Sequence, residues 1–437
     1  MTYEEAKAFL ADCNRYAGEI TLAPLERLLE LLGDPQEETT YVHIAGTNGK
    51  GSVLAYVSSA LRDAGRRVGR YISPTIFSYR ERIQVNEEYI SREALARLTA
   101  RIREAGERML AAGEGHPTMF EAETALAFLY FAEQKCDLVV LETGMGGTTD
   151  ATNVIRRTAA AVISSVSMDH IGVLGNTLGE IAGHKAGIIK PGCRVVSAAQ
   201  EPEAEEVIRE KAAQEGCPVT WTDLPSLVVR RRGLDGQAFD YRGRRQVEIS
   251  LAGEYQFRNA ALALDALDAL RESGYAVPEE AVRSGLKRAA WPARFSVIAR
   301  EPLFLLDGAH NPDAARMLRE SVERDLPGRR LVFIMGVLAD KEYEEVVRRT
   351  VPLAAEVVTV MTPDNPRALP AEELAETVRK YNGRVRVSSG LSEAVETAYS
   401  LAGREDAILA FGSLSYLGEL ARIVERRNGQ GGTAWKI

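Results

Sequence analysis

The chain has 437 residues, long for a single core, and its hydrophobic (45%) and charged (27%) fractions are those of ordinary soluble globular proteins. With 54 Lys+Arg against 62 Asp+Glu the formal charge is −8, which argues against a nucleic-acid partner held through its phosphate backbone. No run approaches the ~18 apolar residues of a membrane span, and the acidic start MTYEEAKAFLADC lacks the basic-then-apolar order of an export signal, so a cytoplasmic protein without a membrane partner is expected.

In chain order, LAPLERLLELLGDPQ places Leu25, Leu28, Leu29 and Leu32 on one helical face and ends in a Gly-Asp-Pro stop. A strand, YVHIA, follows and runs into a glycine-rich loop; SVLAYVSSALRDAG is then helical, with Gly65 as its stop. Three further apolar runs end in polar residues: RVGRYIS at Ser73, CDLVVLE at Glu142, and TAAAVISSVSMDH at Asp169 and His170. Helical stretches such as SREALARLTARIREAGERML and FEAETALAFLYFAEQ separate them, so this half should build a mostly parallel sheet with ligands beyond the carboxyl ends of its strands. The four cysteines, Cys13, Cys136, Cys193 and Cys217, are far apart in sequence, form no Cys-x-x-Cys pair and read as buried thiols in a reducing compartment.

From about Ser226 to Leu251 short alternating strands suggest an antiparallel appendage, and its basic cluster around Asp235-Gly236 reads as the solvated face of a hairpin. Helix returns in QFRNAALALDALDAL; the register breaks near WPARFSVIAREP, and a second alternation follows in LFLL, RLVFIMG, AEVVTVM, RVRVSS and DAILAFG. The expected architecture is α/β, with a P-loop N-terminal domain on a mostly parallel sheet (residues 1–296) and a smaller Rossmann-like α/β C-terminal domain (residues 297–437).

The loop in YVHIAGTNGKGS misses the strict phosphate-loop pattern, because Ile44 stands where a glycine is wanted and Gly51 where a Ser or Thr should follow the lysine. Its physical parts are nonetheless those of an anion cradle: Gly46, Gly49 and Gly51 for a tight turn, a helix N-terminus, and the charge of Lys50. A glycine-rich strand-to-helix turn can also be structure alone. Glu142 at a strand end suits Mg²⁺, which prefers hard oxygen ligands; His170 is a less usual partner and fits a capping role as well. Lys185 lies in the largely apolar IAGHKAGIIKPG, where an ammonium is costly unless it is paired, chemically altered or carried to water on a buried stem.

In order along the chain, LLELLGDPQ, HIAGTNGKGS, FEAETALAFLYFAE, LETGMGGTTDATNVI, DHIGVLGNTLGEIAGHKAGIIKPG, AAWPARF, LLDGAHNP, MGVLADKEYEEV and FGSLSYLGE resemble the motifs of the folylpolyglutamate synthase/dihydrofolate synthase family of the Mur ligase superfamily. That family's loop reads GTNGKGS, so the departure from the strict pattern is the superfamily's own variant.

The resemblance implies an ATP-dependent ligase that adds L-glutamate to a folate, or to dihydropteroate, through an acyl phosphate. It implies that Thr47, Asn48, Gly49, Lys50, Gly51 and Ser52 hold ATP phosphates, that Ser73, Glu142 and His170 ligate Mg²⁺, with two ions expected, and that Lys185 is carbamylated. Lys50, Lys185 and His170 would be the catalytic set. Asn259, Arg294 and Asp307 would contact ATP, and His310 and Ser413 would hold the incoming glutamate in a protein acting as a monomer.

On their own residues, Asn259 reads equally as a helix residue, Asp307 with Asn311 as turn and cap, and Gly412-Ser413 as a strand-to-helix turn. Four positions depart from the family pattern: Pro74-Thr75-Ile76 replaces Pro-His-Leu, Thr148 replaces an arginine, His184 stands where a glutamate usually precedes the lysine, and Tyr255 replaces a histidine. The rival readings are another Mur-type amide ligase with a different acceptor, a P-loop phosphotransferase or switch, and a nucleotide-binding module without catalysis.

Overall fold

The structure is a computed structural model and describes residues 1–16 and 21–429. The chain divides into two compact units. One comprises Met1–Thr75, Tyr79–Leu227 and Arg258–Ala289; the other comprises Ile76–Ser78, Val228–Phe257 and the chain from Ala290 onward.

The first unit is built on eight strands: β1 (Tyr41–Ala45), β2 (Val68–Tyr71), β3 (Ile83–Val85), β4 (Glu88–Tyr89), β5 (Leu138–Glu142), β6 (Thr158–Ile163), β7 (Arg194–Ser197) and β8 (Val219–Trp221). Their order is β4-β3-β2-β5-β1-β6-β7-β8. Pairing is parallel from β2 through β8, and β3 and β4 extend the β2 edge antiparallel. Every residue of β1, β2 and β5 is buried, as expected of strands covered on both faces by helices. On one face Leu25, Leu28 and Leu29 pack with Tyr71, Phe128 and Leu141; on the other Ile163, Ile181 and Val195 form a second cluster.

Local signals behave as their chemistry dictates. The helix Ala23–Leu32 stops at Gly33, which takes φ 88°, and the helix Lys50–Asp63 gives way to Gly65 at φ 81°. Thr118 and Glu121 form a reciprocal capping box that starts the helix Met119–Glu133.

Two expectations need correction. The apolar run that was to reach Asp169 and His170 ends as a strand at Ile163, because the chain beyond it turns to serve the glycine-rich loop: Thr47 N and Asn48 N donate to Ser165 O at 2.8 and 3.4 Å. The cysteines are all buried and unbonded, yet Cys193 and Cys217, distant in sequence, sit with Sγ atoms 3.8 Å apart. Each precedes its strand by the same count, and β7 and β8 pair with Val195 opposite Val219, so the register brings them together.

In the second unit β9 (Val228–Arg231), β10 (Gln237–Tyr241) and β11 (Arg244–Ile249) form a three-stranded antiparallel sheet. Its basic cluster is neutralised locally: Arg230 pairs with Asp240 at 2.7 Å, Arg231 with Glu248 at 3.8 Å and Arg232 with Glu254 at 2.9 Å. This is the solvated hairpin face that the sequence suggests.

The larger sheet holds β12 (Ser296–Arg300), β13 (Leu303–Leu306), β14 (Leu331–Met335), β15 (Glu356–Thr359), β16 (Val385–Val387) and β17 (Ala407–Phe411) in the order β12-β13-β17-β14-β15-β16. All of its pairs are parallel except the antiparallel edge β12-β13. Among the described residues no helix is long and apolar enough to cross a membrane.

Candidate active site

Four adjacent parallel strands of the first unit, β2, β5, β1 and β6, end on one edge, and most of the candidate residues follow those ends. β1 leads into Gly46, Thr47, Asn48 and Gly49, and the helix Lys50–Asp63 opens directly after them. Gly46 has φ 149° and Gly49 φ 93°, both in the region that favours glycine. A β-carbon on Gly46 would overlap the Ser164 hydroxyl, and one on Gly49 would lie 2.5 Å from Asn259 Oδ1. The loop is thus pressed between two polar side chains.

Its backbone is pinned as well. Besides the bonds to Ser165 O, Thr47 Oγ1 donates to Ser167 O at 3.0 Å and accepts from Ser167 N at 3.1 Å, while Ser165 Oγ donates to Asn48 O at 3.2 Å. Lys50 Nζ donates to Gly46 O at 3.1 Å and stands 4.0 Å from Glu142 Oε1. Gly51 and Ser52 are buried in the first helical turn. The first helical N–H groups, the macrodipole and one ammonium therefore meet at a single turn, which is the construction of a phosphate cradle.

Glu142 is the last residue of β5, buried, and paired in register with Ile44 of β1. On the other side Tyr71 of β2 pairs with Leu141, and Ser73 follows two residues later. His170 lies in the loop after β6 with φ 53°, an uncommon value for a residue with a side chain. Its N–H donates to Asp169 Oδ1 at 2.9 Å, and Val173 N and Leu174 N both donate to its carbonyl.

A carboxylate, a hydroxyl and an imidazole suit a hard divalent cation. Among the described residues no group of three or more His, Cys, Asp or Glu side chains gathers at metal-ligating spacing. Such a donor set fits Mg²⁺, which habitually takes much of its shell from water and phosphate oxygens.

Lys185 is almost fully buried in the helix Leu178–Ala186, which Thr177 and Glu180 start with a capping box. Burial, then the positive charge of Lys50, pulls its ammonium from the usual 10.5 to about 7, with Asp169 and Asp150 acting in the opposite direction. The helix end is clamped by the segment Gly144–Asn153. Thr148 N donates to His184 O at 2.8 Å and Thr148 Oγ1 to the same oxygen at 3.2 Å, while Asn153 Nδ2 donates to Gly187 O at 3.1 Å. Thr148 and His184, the two departures from the family pattern in this region, therefore meet through a backbone carbonyl.

That segment is itself held by a buried relay absent from the sequence-based set. Asp150 accepts from Met145 N at 2.8 Å and from Thr152 Oγ1 at 2.5 Å, and Thr152 Oγ1 lies 2.8 Å from His43 Nε2. With the hydroxyl proton committed to Asp150, Nε2–H of His43 is the donor. Burial pulls the His43 pKa down to about 3, so the ring is neutral. Neither residue carries a motif signal strong enough to assign it from sequence: a lone histidine inside YVHIA looks like any strand position.

In the second unit Asp307 directly follows β13 and is buried. Its Oδ2 accepts from Tyr255 OH at 2.8 Å and Phe295 N at 2.9 Å, and its Oδ1 accepts from Ala309 N at 2.8 Å. Burial pushes its pKa up against the pull of Tyr255 and Arg294. A β-carbon on Gly308 would overlap the Arg294 guanidinium, so the bare backbone there lets the arginine lie close. His310 Nδ1 donates to Gly308 O at 2.8 Å. Asn311 caps the helix Pro312–Asp325, and Ser413 caps Leu414–Arg427 through Ser415 N at 3.3 Å. Because β13 and β17 are parallel neighbours, both helix N-termini stand at one sheet edge, with His310 and Ser413 beside them.

Two domain models match the chain: the Mur ligase middle domain over residues 44–267 and the Mur ligase glutamate ligase domain over residues 293–414. The chain is 34% identical over 427 residues to the dihydrofolate synthase/folylpolyglutamate synthase of Bacillus subtilis, covering 96% of this chain and 98% of that one. Among solved structures, the folylpolyglutamate synthase of Mycobacterium tuberculosis complexed with ADP and AMPPCP superposes with a TM-score of 0.86 at 31% identity, covering 98% of both chains. E. coli FolC in complex with DHPP and ADP superposes with a TM-score of 0.85 at 27% identity, again over 98% of both. With both sheets, both domain models and nearly full-length relatives in agreement, the chain belongs to the folylpolyglutamate synthase/dihydrofolate synthase family of the Mur ligase superfamily.

Proposed function

We propose that this protein is an ATP-dependent ligase that joins the amine of L-glutamate to the carboxyl group of a reduced folate, with dihydropteroate as a second acceptor. The observation that carries this reading is the pinned loop Gly46–Lys50 beside Glu142, at the shared edge of four parallel strands. Residues 1–296 would hold most of the nucleotide machinery and residues 297–437 the incoming amino acid.

A carboxylate resists amines because its carbon is a poor electrophile and its oxygen a poor leaving group. Phosphorylation by ATP removes both obstacles. The N–H groups of Thr47 to Ser52 and the Lys50 ammonium would hold the β- and γ-phosphates and stabilise the charge spreading over the transferring group. Mg²⁺, held by Ser73, Glu142 and His170, would supply further neutralisation of that charge.

Lys185 is half neutral near pH 7, and a neutral amine can add to CO₂, which would turn a buried cation into an anionic oxygen group. Asn259, Arg294 and Asp307 would contact the rest of the nucleotide, and His310 and Ser413 would orient the glutamate. The amine then attacks the acyl phosphate, a tetrahedral intermediate forms, and phosphate leaves.

The test is ADP release with dihydropteroate, dihydrofolate and tetrahydrofolate, each with and without glutamate. Glutamate-dependent ADP with at least one of them is expected. Its absence with all three would remove the substrate assignment and leave the chain to another amide-forming reaction of its superfamily.

A further inference from the structure

We infer that Tyr255, which stands where the family pattern has a histidine, is a positioning residue for nucleotide binding and acts by aiming the Asp307 carboxylate. This rests on the reading of Asp307 as a nucleotide contact.

The phenol donates to Asp307 Oδ2 at 2.8 Å, and the remaining donors to that carboxylate in the same unit are the backbone N–H groups of Phe295 and Ala309. Arg294 adds its charge from the other side. A buried carboxylate has about four acceptor positions. Three are filled here by donors of fixed direction, which leaves one orientation for the acceptor that remains. Of the three donors, only the Tyr255 hydroxyl comes from a side chain and from outside the segment 294–309.

The phenol is itself held. Gly253, with φ 100°, leaves room for the ring: a β-carbon there would lie 3.1 Å from Tyr255 Cε1. Gly253 O accepts from Gln237 Nε2 at 3.0 Å, Glu254 N donates to Ser321 Oγ at 3.0 Å, and the Glu254 carboxylate takes Arg232 at 2.9 Å and Arg324. A turn anchored at so many points presents the hydroxyl without ordering cost at the moment of binding, as an effective second layer of support requires. The histidine of the family pattern can serve the same end, since an imidazole N–H is also a donor.

The experiment is a double-mutant cycle on the full chain with Mg²⁺, reading ADP affinity by calorimetry and the KM for ATP. Tyr255→Phe should weaken ADP binding and raise KM about tenfold, with kcat changed less, because a hydrogen bond to a charged group is lost. Tyr255→His should stay within about twofold of wild type. The double variant Tyr255→Phe/Asp307→Asn should be no weaker than Asp307→Asn alone.

If Asp307→Asn weakens binding and Tyr255→Phe does not, or if the two effects multiply, Tyr255 does not act through Asp307 and the inference falls while the nucleotide contact stands. If Asp307→Asn binds ADP as the wild type does, the contact itself is wrong and the inference falls with it. Should Tyr255→Phe fail to fold, Tyr255→His decides: affinity near wild type supports the inference, and a tenfold loss overturns it.

Discussion

His43 shows how one buried side chain ties stability to pH. Its imidazole is fully buried, donates through Nε2 and has no partner at Nδ1. A proton added to Nδ1 would have no acceptor, and the charge would be desolvated, so the folded-state pKa of about 3 lies below the unfolded 6.5. The unfolded chain therefore binds the extra proton between those values, and stability falls as pH drops through that window. At pH 5 the loss from this residue alone is about 2 kcal/mol. In His43→Leu the dependence of unfolding free energy on pH between 6 and 4 should be shallower by about one proton; an unchanged slope would show that the ring is not buried neutral.

Lys185 makes an opposite demand, since its amine has to be neutral to add CO₂. Bicarbonate should raise activity above about pH 7 and lose that effect as pH falls through it. Lys185→Met should abolish the response, and ¹³C NMR with labelled bicarbonate should show a carbamate signal only in the wild type. Activity indifferent to bicarbonate would refute this role.

Between elements, the closest approach is that of the helices Lys50–Asp63 and Glu279–Arg288. Gly285 meets the backbone of Ala60 so closely that a β-carbon would overlap it, and Arg288 and Ser284 both bond the Asp63 carboxylate. The helix that begins with Lys50 is thus fixed along its length by a helix more than two hundred residues away in sequence. Gly285→Val should destabilise the protein by about 1–3 kcal/mol through overpacking. Because it tilts the phosphate helix, it should also raise the KM for ATP. A variant with a lowered Tm and unchanged KM would show that the helix holds its loop without that support.

At the scale of the whole chain, a nucleotide that binds only the folded state should raise the unfolding free energy by about 2.7 kcal/mol at a hundredfold excess over Kd. Calorimetry with ADP and Mg²⁺ should show this as a higher Tm in wild type. Lys50→Ala should unfold at an unaltered temperature without nucleotide and show little shift with it, since the lysine meets Gly46 and Glu142 only at the loop. A full shift in Lys50→Ala would place the nucleotide elsewhere.

By itself the sequence determined the α/β class, the alternation of both sheets and the phosphate loop. Strands covered on both faces read as unbroken apolar runs, and a glycine-rich turn before a helix is a local construction. The family, too, was legible, because nine motifs in order are a linear signal. Tertiary structure alone decided which polar residues support those loops. Ser165 bonds a loop more than a hundred positions earlier, Asn259 faces Gly49, His43 anchors Thr152, and Tyr255 reaches Asp307. Such partners leave no period or spacing in the chain: a hydrogen bond depends on position in space, and only the folded backbone brings its two ends within 3 Å.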